Sequence, residues 1–356
     1  MSALMQAEFQ VCGRKIGPGN PVYIVAELSG NHHQDFEQAV RLVHAAKDSG
    51  ADAVKLQTYT ADMLTIQCDR ECFQVGGGTL WDGRSLHDLY LQAQTPWEWQ
   101  PRLKRVADDL GLHLFSSPFE ASAVDFLEQM ETPAYKLASF EIVDIPLIQK
   151  IARTGKPMII STGMATLEEI QEAMNTALQA GAVQVALLKC TSAYPASPDG
   201  MNLRAIPELG RRFDVPVGLS DHTIGIAVPV AAVSLGACIV EKHLTLSRAV
   251  EGPDSAFSLE PNEFREMVDA VRIAERALGT IGFGCTDFES ASLAFRRSLF
   301  VVQDMRKGDL FSEQNIRSIR PGYGLHTRHL PEVLGRRAAF DIERGTPLAW
   351  ELVATP

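Results

Sequence analysis

Over the first 245 residues, short apolar runs rich in β-branched side chains alternate with longer stretches whose apolar positions recur at helical spacing. The runs are 22–28 (VYIVAEL), 53–59 (AVKLQTY), 112–118 (LHLFSSP), 134–139 (AYKLAS), 157–162 (PMIIST), 185–190 (VALLKC), 215–221 (VPVGLSD) and 238–245 (CIVEKHLT). Helical stretches follow them, for example over 35–49 and 166–180. Several stop in small residues, as in DSGAD at 48–52 and QAGAV at 179–183, where glycine can take the left-handed cap conformation. Eight strand–helix units in roughly 250 residues predict an α/β fold of the (β/α)8 TIM-barrel type. A doubly wound sheet would favour a G-x-G-x-x-G turn after the first strand, and AELSGNHHQD has only Gly30.

Two regions break the alternation. Residues 60–93 are too long for a simple strand-to-helix turn and contain GGGTLWDG, which reads as a flexible turn. Long insertions on this side of a barrel are often substrate loops or lids. Near 280–297 the periodicity fades, and 298–356 alternates short β-like segments with turn signals such as KGD and RGT. The expected division is a barrel domain over 1–283, a linker over 284–297 and a small β-rich domain over 298–356.

A hydrophobic content of 46% with 22% charged residues is that of a globular chain, and the net charge of −11 argues against a nucleic-acid surface. Six scattered cysteines, with no C-x-x-C pair, suit reduced thiols in a cytoplasm. The N-terminus lacks the basic-then-apolar order of a signal peptide, and no apolar run approaches the ~20 residues of a membrane helix.

Catalytic residues of a barrel of this type sit at the C-terminal ends of its strands. There the candidate strands place Glu27; Lys55 and Gln57; Ser116 and Ser117; Lys136, Ser139 and Glu141; Ser161 and Thr162; Lys189, Thr191 and Ser192; Ser220 and His222; and Glu241 and His243. Eight polar strand ends together predict a charged pocket. The period of two puts Ser220 with His222 and Glu241 with His243, and leaves Lys242 facing the other way. Neighbouring strands lie ~5 Å apart, so His222 and His243 can converge. Either histidine alone reads as a hydrogen-bonded core residue; the pair points to a divalent-metal site with open positions. Lys55 and Lys136, surrounded by serine hydroxyls, suit a phosphate or carboxylate ligand, or pairing with Glu27 or Glu141. A barrel-strand lysine could also form a Schiff base.

The motifs IVAELSGNH, ADAVKLQTYT, FSSPF, YKLASFEI, ISTGMATLEEI, LLKCTSAYP, GLSDHT, VEKHLTL and GPDSAFSLEP, in that order, resemble those of the sialic acid synthase family. RSIRPGYGL and its surroundings resemble the family's antifreeze-like (SAF) domain. The resemblance implies phosphoenolpyruvate (PEP)-dependent synthesis of a nine-carbon keto acid from an N-acylated aminosugar. It implies His222 and His243 as ligands of Mn²⁺ or Mg²⁺, and Lys55, Ser117, Lys136, Ser139, Ser161, Ser192 and Ser220 around PEP. Glu27, Glu141 and Glu241 would serve the reacting centre; Tyr194, Asp254, Phe295 and Arg320 would face the sugar, Arg320 from the partner subunit of a domain-swapped homodimer. SFEI, Ser192 and Ser255 depart from the pattern of N-acetylmannosamine enzymes and fit the branch acting on a 2,4-diacetamido-2,4,6-trideoxy hexose. The legionaminic and N-acetylneuraminic branches are the alternatives, and a pyruvate-dependent barrel aldolase is a more remote one.

Overall fold

The structure, a computed structural model, describes residues 9–355. The first eight residues, where the search for a targeting signal begins, lie outside the described residues, as does Pro356. The chain forms two compact units, one ending at Gly279 and the other beginning at Thr280.

In the first unit, strands β3 (Tyr23–Glu27), β4 (Ala53–Thr58), β5 (His113–Pro118), β6 (Tyr135–Leu137), β7 (Met158–Ser161), β8 (Val185–Cys190), β9 (Val217–Asp221) and β10 (Ile239–His243) pair in parallel. They follow chain order around a closed barrel, β10 returning to β3. Alternation divides each strand between two environments. Ile24, Ala26, Val54, Leu56 and Leu114 face outward into the large core shared with the helices. Tyr23, Val25, Ala53, Phe115, Ile159, Ala186 and Ile239 belong to a separate apolar core. Gly218 allows tight packing within it: a Cβ there would strike the Ile239 backbone and side chain.

That inner core includes a feature absent from the sequence expectation. Strands β1 (Phe9–Val11) and β2 (Arg14–Ile16) form an antiparallel hairpin. Its Phe9, Val11 and Ile16 are buried with the inner barrel residues. Arg14 pairs with Asp52 at the turn into β4, at 2.5 Å. An apolar floor is thus sealed from one side, and only the other end of the barrel is left for chemistry.

Local sequence sets the helix starts. The Asp35 carboxylate accepts from the Glu37 and Gln38 amides at the head of helix Phe36–Asp48. Thr166 and Glu169 form a reciprocal capping box for helix Leu167–Gln179. The insertion after β4 is not unstructured: it holds the short helices Ala61–Leu64 and Leu86–Ala93, the second capped by Ser85.

The second unit begins with a 3-10 helix, Asp287–Phe295, inside the expected linker. Its regular sheet is a single pair, β11 (Ser298–Val301) with β12 (Ile316–Ile319). Further pairing comes as isolated bridges such as Met305 to Ile342 and Ala338 to Val353. Leu299, Val301, Phe311, Val333, Ile342 and Leu348 give it a core of its own. Among the described residues, no helix is long and apolar enough to cross a membrane.

Candidate active site

A cavity of about 390 Å³ opens at the C-terminal end of the barrel. Its floor is charged because the inward positions that are apolar lower in the strands become polar at the last one or two of those positions. Glu27, Lys55, Lys136 and Glu241 all reach this layer, each at most 4% exposed. The strand register places Glu27 opposite both Lys55 and His243.

Lys55 lies 2.6 Å from Glu27 and 3.4 Å from Glu241, while Lys136 lies 3.6 Å from Glu241. Ser220 donates to Glu241 at 3.0 Å, and Lys55 donates to Ser117 at 3.4 Å. Two buried lysines and two buried glutamates therefore share one network, which offsets a desolvation cost that none could bear alone. Their protonation preferences diverge. Burial raises Glu27; Lys55 relieves part of that rise, and the facing Glu241 charge adds to it. Burial would raise Glu241 too, but Lys136 and Lys55 outweigh it and hold that carboxyl below its usual range. Burial also lowers Lys136, whereas Glu241 and Glu27 keep Lys55 above its ordinary value despite burial. Unequal environments for like groups are the arrangement that separates acid from base roles.

Above this layer the two imidazoles meet edge-on, with ring centroids 5.3 Å apart and planes inclined by 61°. The β9–β10 register, Lys242 opposite Asp221, puts them directly across from one another. His222 Nδ1 lies 3.0 Å from the Thr191 carbonyl, which can only accept, so Nδ1 carries the proton. Burial and the neighbouring His222 hold His243 well below its ordinary pKa, and its buried Nδ1 has no hydrogen-bond partner. An orphaned nitrogen on a neutral ring is a donor suited to a cation. Among the described residues no cluster of three or more His, Cys, Asp or Glu side chains is grouped for a metal ion. A cation here would take two protein nitrogens and leave its other positions to water and substrate oxygens.

The remaining walls come from loops. Tyr194 packs on His222 at 4.4 Å between ring centroids and on Phe257 at 5.2 Å. Asp254 accepts from the Ser29 hydroxyl and from the Gly30 amide, the latter at 3.2 Å. Burial raises its carboxyl, partly countered by those two donors. Glu141 lines the cavity with one carboxylate oxygen unpartnered, and burial pushes its pKa up to about 7. The insertion after β4 supplies an apolar wall of Leu64, Val75, Leu86 and Leu89, with Tyr90. Trp81 pins that wall in place by donating to the Pro253 carbonyl at 2.8 Å and packing on Tyr194.

The structure brings Lys55, Lys136, Ser139, Glu141, Ser161, Tyr194, Ser220, His222, Glu241, His243 and Asp254 to one cavity. Glu27 and Ser117 sit beneath it, bonded through Lys55. Ser192 is half-buried and outside the lining; a Cβ on Gly163 would strike both it and Ser139. Phe295 and Arg320 lie in the second unit, both exposed. Gln57 was visible as a polar strand end but not singled out for the site; it donates to Glu27 at 3.2 Å and to Ser29 at 3.0 Å. Cys190, 3.9 Å from His222 Nδ1, carried no signal beyond its place at the end of β8. Burial raises its thiol, but His222, with Ser139 and Lys136, together outweigh that and bring it down to about 7.

Comparison with known proteins adds a family context. The sequence profile of the NeuB family matches residues 42–282, and that of the SAF domain matches residues 296–354. A pseudaminic acid synthase of Campylobacter jejuni is 46% identical over 92% of this chain and 95% of its own length. A pseudaminic acid synthase of Helicobacter pylori is 45% identical over 92% of this chain and 97% of its own. An N,N'-diacetyllegionaminic acid synthase of Legionella pneumophila is 36% identical over 94% of this chain and 95% of its own. Among solved structures, an N-acetylneuraminic acid synthetase from Leptospira borgpetersenii superposes with a TM-score of 0.72 at 30% identity, covering 81% of this chain and 95% of that one.

Proposed function

The chain belongs to the NeuB family, and from that premise we propose that it condenses PEP with 2,4-diacetamido-2,4,6-trideoxy-L-altropyranose to give pseudaminic acid and inorganic phosphate. The observation that carries the reaction class is the buried network of Lys55, Lys136, Glu27 and Glu241 beneath the paired histidines. The choice of sugar is supported by the higher identity to pseudaminic acid synthases than to the legionaminic enzyme. It is supported also by the wall of Leu64, Val75, Leu86 and Leu89, which suits a deoxy carbon and acetyl methyls better than hydroxyls.

In this reading Lys55 and Lys136 bind the anionic groups of PEP, with the Ser139, Ser161 and Ser220 hydroxyls completing the cradle. Ser161 has a buried hydroxyl without a partner, available for such a ligand. Ser117 steadies Lys55 from below, and Ser192 borders the cradle through Ser139. Asp254 and Tyr194 orient the open-chain sugar so that its aldehyde lies over the PEP methylene carbon. A divalent cation held by His222 and His243 would supply Lewis-acid polarisation of that aldehyde. When the new carbon–carbon bond forms, positive character develops at the former enol carbon, and the Glu241 and Glu27 carboxylates lie where they can stabilise it. Water adds there, and Glu141 or Glu27 takes the displaced proton and passes it to the alkoxide formed from the aldehyde. As the C–O bond breaks the keto group forms, and the remaining hydroxyl proton leaves with phosphate, which the lysines receive.

The proposal extends to a homodimer in which Arg320, with Phe295, reaches the partner's sugar site. Supporting it, Ile281, Phe283 and Phe288 are each at least 98% exposed, an apolar strip that monomers rarely leave uncovered. A cytoplasmic location suits PEP as co-substrate and six free cysteines. The experiment is a phosphate-release assay with PEP, Mn²⁺ and a panel of sugars. Turnover with the L-altro trideoxy sugar at least ~100-fold above N-acetylmannosamine is expected. Preference for the legionaminic precursor or for N-acetylmannosamine would refute the sugar assignment. Turnover with pyruvate and no phosphate release would refute the reaction class.

A further inference from the structure

Behind the cavity lies a second buried charge pair. The side chains of Lys242 and Asp221 are both 0% exposed, and their charged atoms are 2.5 Å apart. Neither lines the cavity; both face the helix layer, as the alternation of β9 and β10 requires. Among the described ion pairs it is the one fully buried pair outside the active-site network. A buried ion pair is a weak source of stability, so its presence calls for another explanation.

Its connections supply one. Lys242 also donates to the Thr223 carbonyl. Asp221 accepts from the Thr223 amide at 3.1 Å, and the Thr223 hydroxyl lies 2.9 and 3.0 Å from its two carboxylate oxygens. Asp221 and Thr223 are the two neighbours of His222, and Lys242 is the neighbour of His243. One ammonium group therefore fastens the backbone on one side of the first histidine and the side chain on its other side, from a residue whose own backbone carries the second. On the β10 side the ladder ends at Lys242 and Asp221. Past it the His222 carbonyl accepts from the Ala196 amide at 3.0 Å and Thr223 bridges Ala196, contacts that hold this backbone toward the loop after β8 and leave its tie to β10 to Lys242. We infer that Lys242 and Asp221, with Thr223, form a positioning brace that sets the separation and relative orientation of His222 and His243.

The inference rests on the reading that these histidines hold a divalent cation, and its test separates the two. The double variant Asp221→Asn/Lys242→Met removes both charges without stranding either, and Thr223→Val removes only the hydroxyl. Mn²⁺ affinity is measured by titration calorimetry on full-length protein, with thermal midpoint as the fold control and kcat at saturating Mn²⁺. The brace predicts a folded double variant whose Mn²⁺ affinity falls ~10–100-fold, with kcat lowered at saturating metal and KM for PEP little changed. Thr223→Val should show a smaller loss of the same kind. A folded double variant or Thr223→Val with parental Mn²⁺ affinity and kcat overturns the brace, as does a lowered midpoint alone. Should the parent itself bind no Mn²⁺, the metal reading fails, and the brace is then judged from a crystal structure of Thr223→Val. A ring separation and tilt unchanged from the parent overturn it there; displaced rings uphold it.

Discussion

Glu141 offers the sharpest quantitative expectation. Burial raises its carboxyl from 4.5 to about 7, and one of its oxygens has no hydrogen-bond partner. The folded-state pKa thus lies above the unfolded value. Stability from this group is fully present below pH ~4.5 and is lost as pH rises through about 7. A carboxyl moved that far corresponds to ~3 kcal/mol at alkaline pH, an upper figure because the cavity admits water. Glu141→Gln keeps the shape and removes the charge. It should leave stability nearly unchanged at pH 4 and raise it progressively above pH 5, approaching ~2–3 kcal/mol at pH 8. Urea denaturation of both proteins at pH 4, 6, 7 and 8, followed by tryptophan fluorescence, measures the difference. Trp81, Trp97 and Trp99 all belong to the first unit, whereas Trp350 lies in the second and should be replaced by Phe in both proteins. A difference that does not change between pH 4 and pH 8 would refute the reasoning. Activity should fall in the same variant, because a neutral amide can no longer take up a proton.

Other consequences are as direct. His222→Ala and His243→Ala should each abolish PEP turnover at any Mn²⁺ concentration; metal-independent turnover by either contradicts the metal assignment. Leu86→Ser puts a hydroxyl into the apolar wall and should narrow the preference for a 6-deoxy sugar over its 6-hydroxy analogue by ~10-fold in kcat/KM, read from parallel steady-state assays. An unchanged ratio means that wall does not read the sugar. Mixed dimers of an Arg320→Ala subunit and a His243→Ala subunit should recover part of the parental activity, since one composite site in such a dimer is intact. No recovery in verified heterodimers removes the trans role of Arg320.

How much of this was legible in the sequence depended on how each feature is encoded. The eight barrel strands are short apolar runs separated by helical periodicity, a signal repeated often enough to identify the fold. Alternation alone put Glu241 and His243 on one face and Lys242 on the other, and the structure has them so. What it could not supply was Lys242's partner, because Asp221 becomes its neighbour only through the β9–β10 register. The hairpin Phe9–Val11 and Arg14–Ile16 went unseen for a different reason: three-residue strands are too short to show a period, and their burial is decided by the barrel they meet. The apolar wall was visible only as an overlong connection. Its role comes from helix Leu86–Ala93 packing beside Tyr59, a contact between rings 6.0 Å apart that no spacing rule anticipates.

The central claim is that PEP reacts at carbon in the strand-end cavity and loses phosphate by C–O cleavage. PEP labelled with ¹⁸O in the bridging position, turned over with the trideoxy sugar, tests it most directly. The account predicts that inorganic phosphate carries the label, one labelled phosphate for each keto acid formed. Unlabelled phosphate, from attack at phosphorus, would contradict it.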